Sequence, residues 1–284
     1  AAALWVDFAS TFEDVATCQY KRVSDTCIEG YVQAKNVCGH GRYKLYFSLN
    51  TDQPFQLEEQ KETTACLTFG KKVRAVEVRI GLSALSSELA SWECARWEKM
   101  DFAELKSQTG NQWEKQLSAI DVKGGKKDDK VIFYTSLYRA YLSPADVSSP
   151  DGAYLGTDGK VYISEDFRYY SNWSLWDTFR TKFPLLVLTE PARMRDMATS
   201  LIHLYATGKK DWSTGFESTP TVRTEHAVIL LLDAYRKGIT TLDFRKGYAG
   251  MKEEMERLPM RSPDQKMESA YDLLSLIHIS EPTR

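Results

Sequence analysis

The feature that most constrains the fold of this chain is a change in hydrophobic period near residue 86. Before that point apolar residues alternate with polar ones, as at Leu4, Val6 and Phe8, which is the period of a half-buried β-strand. After it apolar residues recur at spacings of three and four, which is the period of an amphipathic helix. The order of the two periods predicts an α+β multidomain chain, with strands first and helices afterwards.

Residues 1–85 are predicted to form part of an antiparallel β-sandwich domain, because segments rich in Gly, Asn and Pro separate the alternating runs. Successive side chains of a strand point to opposite faces of the sheet. A one-residue slip of the strand at 76–82 would therefore place Glu77 in the core. The alternation instead predicts that Ile80 and Leu82 face the core.

Residues 86–127 are predicted to form a helical linker, since Asp101 and Glu104 have the spacing of a capping box at a helix start. Residues 128–273 are predicted to hold about six helices in hairpin order, with no strand between them. The charged run at 126–130 is predicted to be a solvated loop. The predicted helices cover 131–142, 173–182, 191–207, 225–237, 244–255 and a last segment that begins at 262.

Composition excludes several classes of protein. The chain has 37 basic and 39 acidic side chains, so the excess of positive charge typical of a nucleic-acid binder is absent. No apolar run approaches the roughly 20 residues of a membrane-spanning helix, so no membrane span is predicted. The five cysteines have spacings of 9, 11, 28 and 28, which fit no zinc pattern and indicate structural thiols.

Aromatic and polar residues are concentrated between residues 151 and 184. A pyranose ring offers an apolar C–H face that stacks on an aromatic ring, and hydroxyls that a carboxylate or guanidinium can chelate. On a helix, Trp176, Asp177 and Arg180 would share one face with Trp173. We refer to Trp176, Asp177 and Arg180 as the sugar-binding wall. The alternatives are that the aromatic residues form core, and that Asp177 caps a helix or pairs with Arg180.

A second group of candidate residues opens the helix predicted at 225–237. Glu225 and His226 contact a sugar if the loop before this helix lines the pocket. In the other interpretation Glu225 complements the helix dipole and His226 is a buried structural residue. His203 lies on an amphipathic helix and is interpreted as structural.

Seven motifs occur along the chain in a fixed order: GRYKLYF at 41–47, FYTSLY at 133–138, PDG at 150–152, YSNWSLWDTFR at 170–180, FPLL at 183–186, DAYRKG at 233–238 and MESAYD at 267–272. In these motifs and their order the chain resembles glycoside hydrolase family 92, the calcium-dependent exo-acting α-mannosidases. The resemblance extends from about Leu4 to Asp272, and several ordered motifs together are far more specific than any one of them.

The resemblance implies an N-terminal β-sandwich and an (α/α)6 toroid, of which this chain holds about half. It also implies inverting hydrolysis of terminal α-mannosides, with an acid and a base on opposite sides of the sugar and Ca2+ binding its hydroxyls. By motif match, the sugar-binding wall belongs to the terminal mannose subsite. The substrates implied are α-mannoside glycans, and the location implied is secreted or periplasmic.

The sequence departs from the family at the residues that carry out the chemistry. The family's acid lies in an EGN motif, further sugar contacts lie in HGNEP, and the base lies in GNDD, and none of these motifs occurs here. We therefore predict no catalytic residue in this chain, no complete set of calcium ligands, and no activity of the chain alone. The alternatives are an enzyme of this family that removes mannose-1-phosphate-linked sugars, and a non-catalytic carbohydrate-binding protein.

Two expectations concern the end of the chain. Residues 274–284 resemble the translation of a transposase sequencing adapter, so they are interpreted as a non-native tail. If the chain holds only about half of the toroid, the apolar stripe of the helix at 191–207 lacks the later helices that would cover it and is exposed. That stripe comprises Met194, Met197, Leu201 and Tyr205.

Overall fold

A computed structural model describes residues 2–11, 14–35, 42–156, 158–173, 175–207 and 226–256. The chain divides into two compact units, Ala1–Lys115 and Gln116–Arg284. The division falls within the segment predicted to be a linker, and the predicted domain boundaries themselves stay predictions. Within the described ranges no helix is both long enough and apolar enough to cross a membrane.

The first unit begins with seven antiparallel strands in two sheets. One sheet has the strand order β1-β6-β5 and the other has the order β2-β3-β4-β7. The strands are β1 Ala3–Asp7, β2 Val15–Arg22, β3 Cys27–Lys35, β4 Arg42–Thr51, β5 Phe55–Lys61, β6 Thr64–Phe69 and β7 Val78–Ser83. The predicted switch from strands to helices is confirmed, because every strand of this unit precedes its first helix.

Both sheets contribute to one hydrophobic core, which is the packing expected of a β-sandwich. Ile28, Phe47 and Leu49 come from the four-stranded sheet, and Phe55 and Leu67 come from the three-stranded sheet. Buried thiols pack among these layers: the Cys94 thiol donates to the Ser48 carbonyl at 3.1 Å. The described cysteines, Cys18, Cys27, Cys66 and Cys94, are all free, and Cys38 lies outside the described residues.

Val78 of β7 packs against the core, but the predicted burial of Ile80 and Leu82 is wrong. Ile80 and Leu82 are 59% and 53% exposed, although they lie on the inner face and line an apolar groove with Phe47 and Leu49. Strand β7 is at the edge of a four-stranded sheet, and the opposite sheet has only three strands to cover it. The better buried face of β7 is the outer one, where Gly81 packs against the next helix.

Two helices follow the strands of this unit. Helix α1 Ser87–Arg96 begins at Ser86, whose hydroxyl accepts from the backbone N–H of Leu89 at 3.2 Å. Helix α2 Phe102–Leu117 begins with the predicted capping box. There Asp101 accepts from the N–H of Glu104 at 2.8 Å and Glu104 accepts from the N–H of Asp101 at 3.1 Å. The capping box is confirmed.

The second unit begins with α3 Lys127–Tyr141, which starts four residues earlier than predicted. The charged run at 126–130 is therefore the first turn of a helix and not a loop. Asp128 and Asp129 favour this start because carboxylates complement the positive end of the helix dipole. In addition, Asp129 accepts from the backbone N–H of Lys126 at 3.1 Å.

Four short strands follow α3, so the prediction of an all-helical second unit is wrong. Strand β9 Ala153–Leu155 pairs with β10 Val161–Ile163, and β11 Tyr170–Ser171 pairs with β8 Ala145–Asp146. Strands of two or three residues are shorter than the four to eight residues over which alternation can be recognised.

The remaining helices are α4 Leu175–Thr178, α5 Lys182–Thr189, α6 Pro191–Ala206, α7 His226–Arg236 and α8 Phe244–Glu256. Pro191 is the first residue of α6, as predicted, and Asp243 caps α8 by accepting from the N–H of Arg245 at 3.2 Å. Gly238 follows α7 with a φ of 104°. The helix predicted from 262 and the tail at 274–284 lie outside the described residues.

The predicted exposure of the α6 stripe is wrong. Met194 and Leu201 are fully buried, and Met197 and Tyr205 are each 4% exposed, because α5, α7 and α8 pack on α6. The backbone of α8 approaches closely at Gly250, where an added Cβ would lie 2.7 Å from the carbonyl oxygen of Tyr205. The helices within this chain are therefore sufficient to cover the stripe.

Candidate functional site

The sugar-binding wall is located by a tightly anchored turn before α4. Asn172 has a φ of 65°, in the left-handed region that Asn tolerates better than most residues. Trp173 is 4% exposed and Leu175 is fully buried, so the chain is held on both sides of residue 174. Trp176 and Asp177 follow within α4, and their side chains lie outside the described residues.

The helix predicted to run from 173 to 182 is interrupted. Helix α4 ends at Thr178 and α5 starts at Lys182, so Arg180 is not on a helical face with Trp176 and Asp177. Pro184 explains the interruption, because it has no N–H to donate to the carbonyl of Arg180 and its ring would clash there. In the first turn of α5 the missing N–H has no such consequence.

The structure brings together the two candidate segments, although they are far apart in sequence. The rings of Phe179 and His226 have centroids 4.1 Å apart, so the end of α4 lies against the start of α7. Glu225 lies outside the described residues. His226 is 3% exposed, which favours its interpretation as a buried structural residue. Contact of Glu225 or His226 with a sugar stays a prediction.

Arg180 lies in the break between α4 and α5, and its side chain is exposed. Its guanidinium carbon is 5.2 Å from the centroid of the Phe179 ring. The aromatic residues before the turn are mostly core, as one of the two interpretations predicted, since Tyr154, Tyr169 and Tyr170 are 2%, 3% and 7% exposed. Within the described side chains, Arg180 is therefore the member of the wall that is exposed to solvent.

Sequence reasoning missed Lys182, the first residue of α5. Its ammonium donates to the Ser143 hydroxyl at 2.8 Å, and within the described part of the chain no carboxylate forms an ion pair with it. Burial lowers the pKa of Lys182 to about 8. The sequence signal for a buried lysine was its position directly before the apolar run FPLLVL at 183–188.

The lowered pKa of Lys182 predicts how the free energy of unfolding changes with pH. Below pH 8 Lys182 is protonated in both states, so the full cost of burying the ammonium is present. Between about pH 8 and 10.5 the unfolded chain binds more protons than the folded chain, so stability rises with pH. Lys182→Met is expected to raise the free energy of unfolding by about 1 kcal/mol at pH 7, after allowance for partial exposure, and by less at pH 10.5.

Urea unfolding at the two pH values measures this difference. Lys237→Met is the matched control, because Lys237 is more exposed and pairs with Asp233 on the surface of α7 at 2.6 Å. A loss of stability in Lys182→Met that is equal at both pH values would mean that the Ser143 hydrogen bond outweighs the burial of the charge.

The described residues do not fit a calcium site. Among them, no group of three or more His, Cys, Asp or Glu side chains is close enough together to hold a metal ion.

The first unit is rich in strands and the second in packed helices, and a fold of this kind does not by itself assign a function. The profile of the glycosyl hydrolase family 92 catalytic domain matches residues 89–281, about two thirds of the chain. The chain belongs to this family. A search of curated proteins found no significant match.

Solved structures agree with the assignment. The family 92 hydrolase ccman5 is 27% identical with a TM-score of 0.75, over 87% of this chain and 36% of that one. The α-mannosidase BT3965 from Bacteroides thetaiotaomicron is 25% identical with a TM-score of 0.79, over 92% of this chain and 38% of that one. A further structure of BT3965 is a complex with mannoimidazole. The chain thus spans little more than a third of the length of these proteins. The predicted order, a sandwich portion followed by part of a helical toroid, is confirmed.

Proposed function

We propose that the protein containing this chain removes terminal α-mannose from glycans by inverting, calcium-dependent hydrolysis. The family match carries the proposal, because residues 89–281 include both the start of α4 and the start of α7. The mannosidase with bound mannoimidazole among the similar structures supports mannosides as the substrate class.

The chain contributes recognition and not proton transfer. In this proposal the indole of Trp176 stacks on the apolar face of the terminal mannose, and the carboxylate of Asp177 accepts hydrogen bonds from its hydroxyls. Arg180, exposed in the break between α4 and α5, donates to a further hydroxyl. In the family the acid lies in the EGN motif, further sugar contacts lie in HGNEP and the base lies in GNDD, and this sequence lacks all three motifs.

The remaining parts of the proposal are the metal and the location. Calcium bound elsewhere in the full-length protein would hold two sugar hydroxyls and favour a distorted ring. The family resemblance supports a secreted or periplasmic location, where glycans are available as substrates.

Proton NMR of the first product tests the proposal in the full-length protein. With an α-mannoside substrate the first sugar released is expected to be β-mannose, and removal of calcium by EDTA is expected to stop the reaction. Initial release of α-mannose would contradict inversion. Hydrolysis confined to a mannose-1-phosphate-linked substrate would favour the alternative enzyme instead.

A further inference from the structure

A cleft in the second unit uses none of the residues of the sugar-binding wall. It lies between the loop after β10, the middle of α6 and the residues that open α8, and its volume is about 430 Å3. Clefts that bind small molecules commonly measure roughly 300 to 1,000 Å3. The charged lining groups of this cleft are Glu165, Asp166, Arg195, Asp243 and Lys246, and its rings are those of Phe167 and His203.

Two rings provide the aromatic side of this cleft. The centroids of Phe167 and His203 are 4.7 Å apart, and the hydroxyl of Tyr154 lies 3.1 Å from Nδ1 of His203. Burial raises the pKa of Tyr154 to about 12, so its hydroxyl stays protonated at neutral pH. Burial also lowers the pKa of His203, the charge of Lys246 adds to this effect, and the carboxylate of Asp243 opposes it only in part. The cleft therefore presents two uncharged rings, and the contact between them and the hydrogen bond between Tyr154 and His203 hold them in position.

Four charged side chains of the rim are available to a ligand: the carboxylates of Glu165, Asp166 and Asp243 and the ammonium of Lys246. Among the described residues, the side chains of Glu165, Asp166 and Lys246 make no hydrogen bond or ion pair, and Asp243 accepts only the backbone N–H of Arg245. Arg195, by contrast, is already bound, since its guanidinium donates to Asp196 at 2.7 Å and to the carbonyl of Asp166 at 3.0 Å. The rim thus offers three carboxylates as acceptors and one free ammonium as a donor.

This combination selects a class of ligand. The excess of carboxylates disfavours an anion, while carboxylates that accept and an ammonium that donates together suit a molecule with several hydroxyls. Uncharged rings suit the apolar C–H face of a sugar. We propose that this cleft binds one pyranose ring of a glycan, as a second sugar site independent of the sugar-binding wall. The inference does not depend on hydrolysis by the full-length protein.

Histidine NMR tests the second site directly. The sequence has four histidines, so the imidazole signals of His203 can be assigned by comparison with a His203→Gln variant. The chain carrying Asp177→Ala, which disables the wall, is titrated with methyl α-D-mannopyranoside up to about 50 mM. The His203 signals are expected to shift and saturate with a dissociation constant of about 1 to 10 mM.

Three variants and one control locate the binding. Glu165→Gln, Lys246→Met and Phe167→Leu are each expected to weaken the sugar about five- to tenfold. Lys160→Met is the matched control, since Lys160 is an exposed lysine that pairs with Asp158 and does not line the cleft. Unmoved His203 signals at 50 mM would overturn the proposal. Equal weakening of sugar binding by Lys160→Met and Lys246→Met would overturn it as well. Both lysines are exposed, so neither replacement disturbs the core.

Discussion

Replacement of Asp177 by Ala in the full-length protein is expected to lower kcat/KM for an α-mannoside at least about 100-fold. In our proposal the carboxylate accepts hydrogen bonds from two sugar hydroxyls, and each charge-assisted bond contributes about 1.5 to 3 kcal/mol. Two such bonds correspond to a factor of about 100 or more. Asp177 follows the buried Trp173 and Leu175, so these anchors keep the backbone of α4 in place when the carboxylate is removed.

Two controls separate recognition from folding. Asp177→Asn keeps the size of the side chain and is expected to lose nearly as much activity, because the charge is lost. Asp233→Ala removes a carboxylate from the exposed pair with Lys237 on α7 and is expected to leave activity unchanged. Full activity in Asp177→Ala, with normal helical circular dichroism, would remove Asp177 from the mannose subsite.

Gly81→Ala is expected to be the most destabilising single methyl addition among the described glycines of the first unit. An added Cβ would lie 1.9 Å from the backbone carbonyl oxygen of Ala90, so α1 must move away from β7. Forcing atoms into a packed contact typically costs about 1 to 3 kcal/mol, and a backbone obstacle places this case at about 3 kcal/mol. Hydrogen exchange of the amides in β7 and α1 measures the loss locally.

Gly110→Ala is the matched control for the same chemical change. Gly110 lies inside α2 with no other atom within 4 Å of an added Cβ. Alanine is the better helix former, so this variant is expected to gain about 0.5 to 1 kcal/mol. If the amides of β7 and α1 exchange at the same rates in Gly81→Ala and in the unmodified chain, the close packing of α1 on the sheet is contradicted.

The sequence predicted those elements whose signal is local. The capping box of Asp101 and Glu104, the first-turn proline of α6 and the cap at Asp243 were all recognisable, because each acts within three or four residues. The strand period was recognisable as well. The exposure of Ile80 and Leu82 was not, since it depends on how many strands the opposite sheet has.

The candidate site was predictable only in part, for a related reason. The motif around Trp176 and Asp177 identified the segment. The break at residues 179–181 was missed although its signal is local, because Pro184 acts on a carbonyl only four residues earlier. The contact between Phe179 and His226, and the pairing of Lys182 with Ser143, join residues about 40 or more positions apart. Such contacts leave no periodic trace in a single sequence.

Assay of the purified 284-residue chain tests the central claim most directly. The chain is incubated with an α-mannoside and millimolar calcium, and free mannose is measured beside the full-length protein. No release above the rate of the uncatalysed reaction is expected, because the chain carries sugar-binding residues without the family's acid and base motifs. Calcium-stimulated release of mannose by the 284 residues alone would contradict this account.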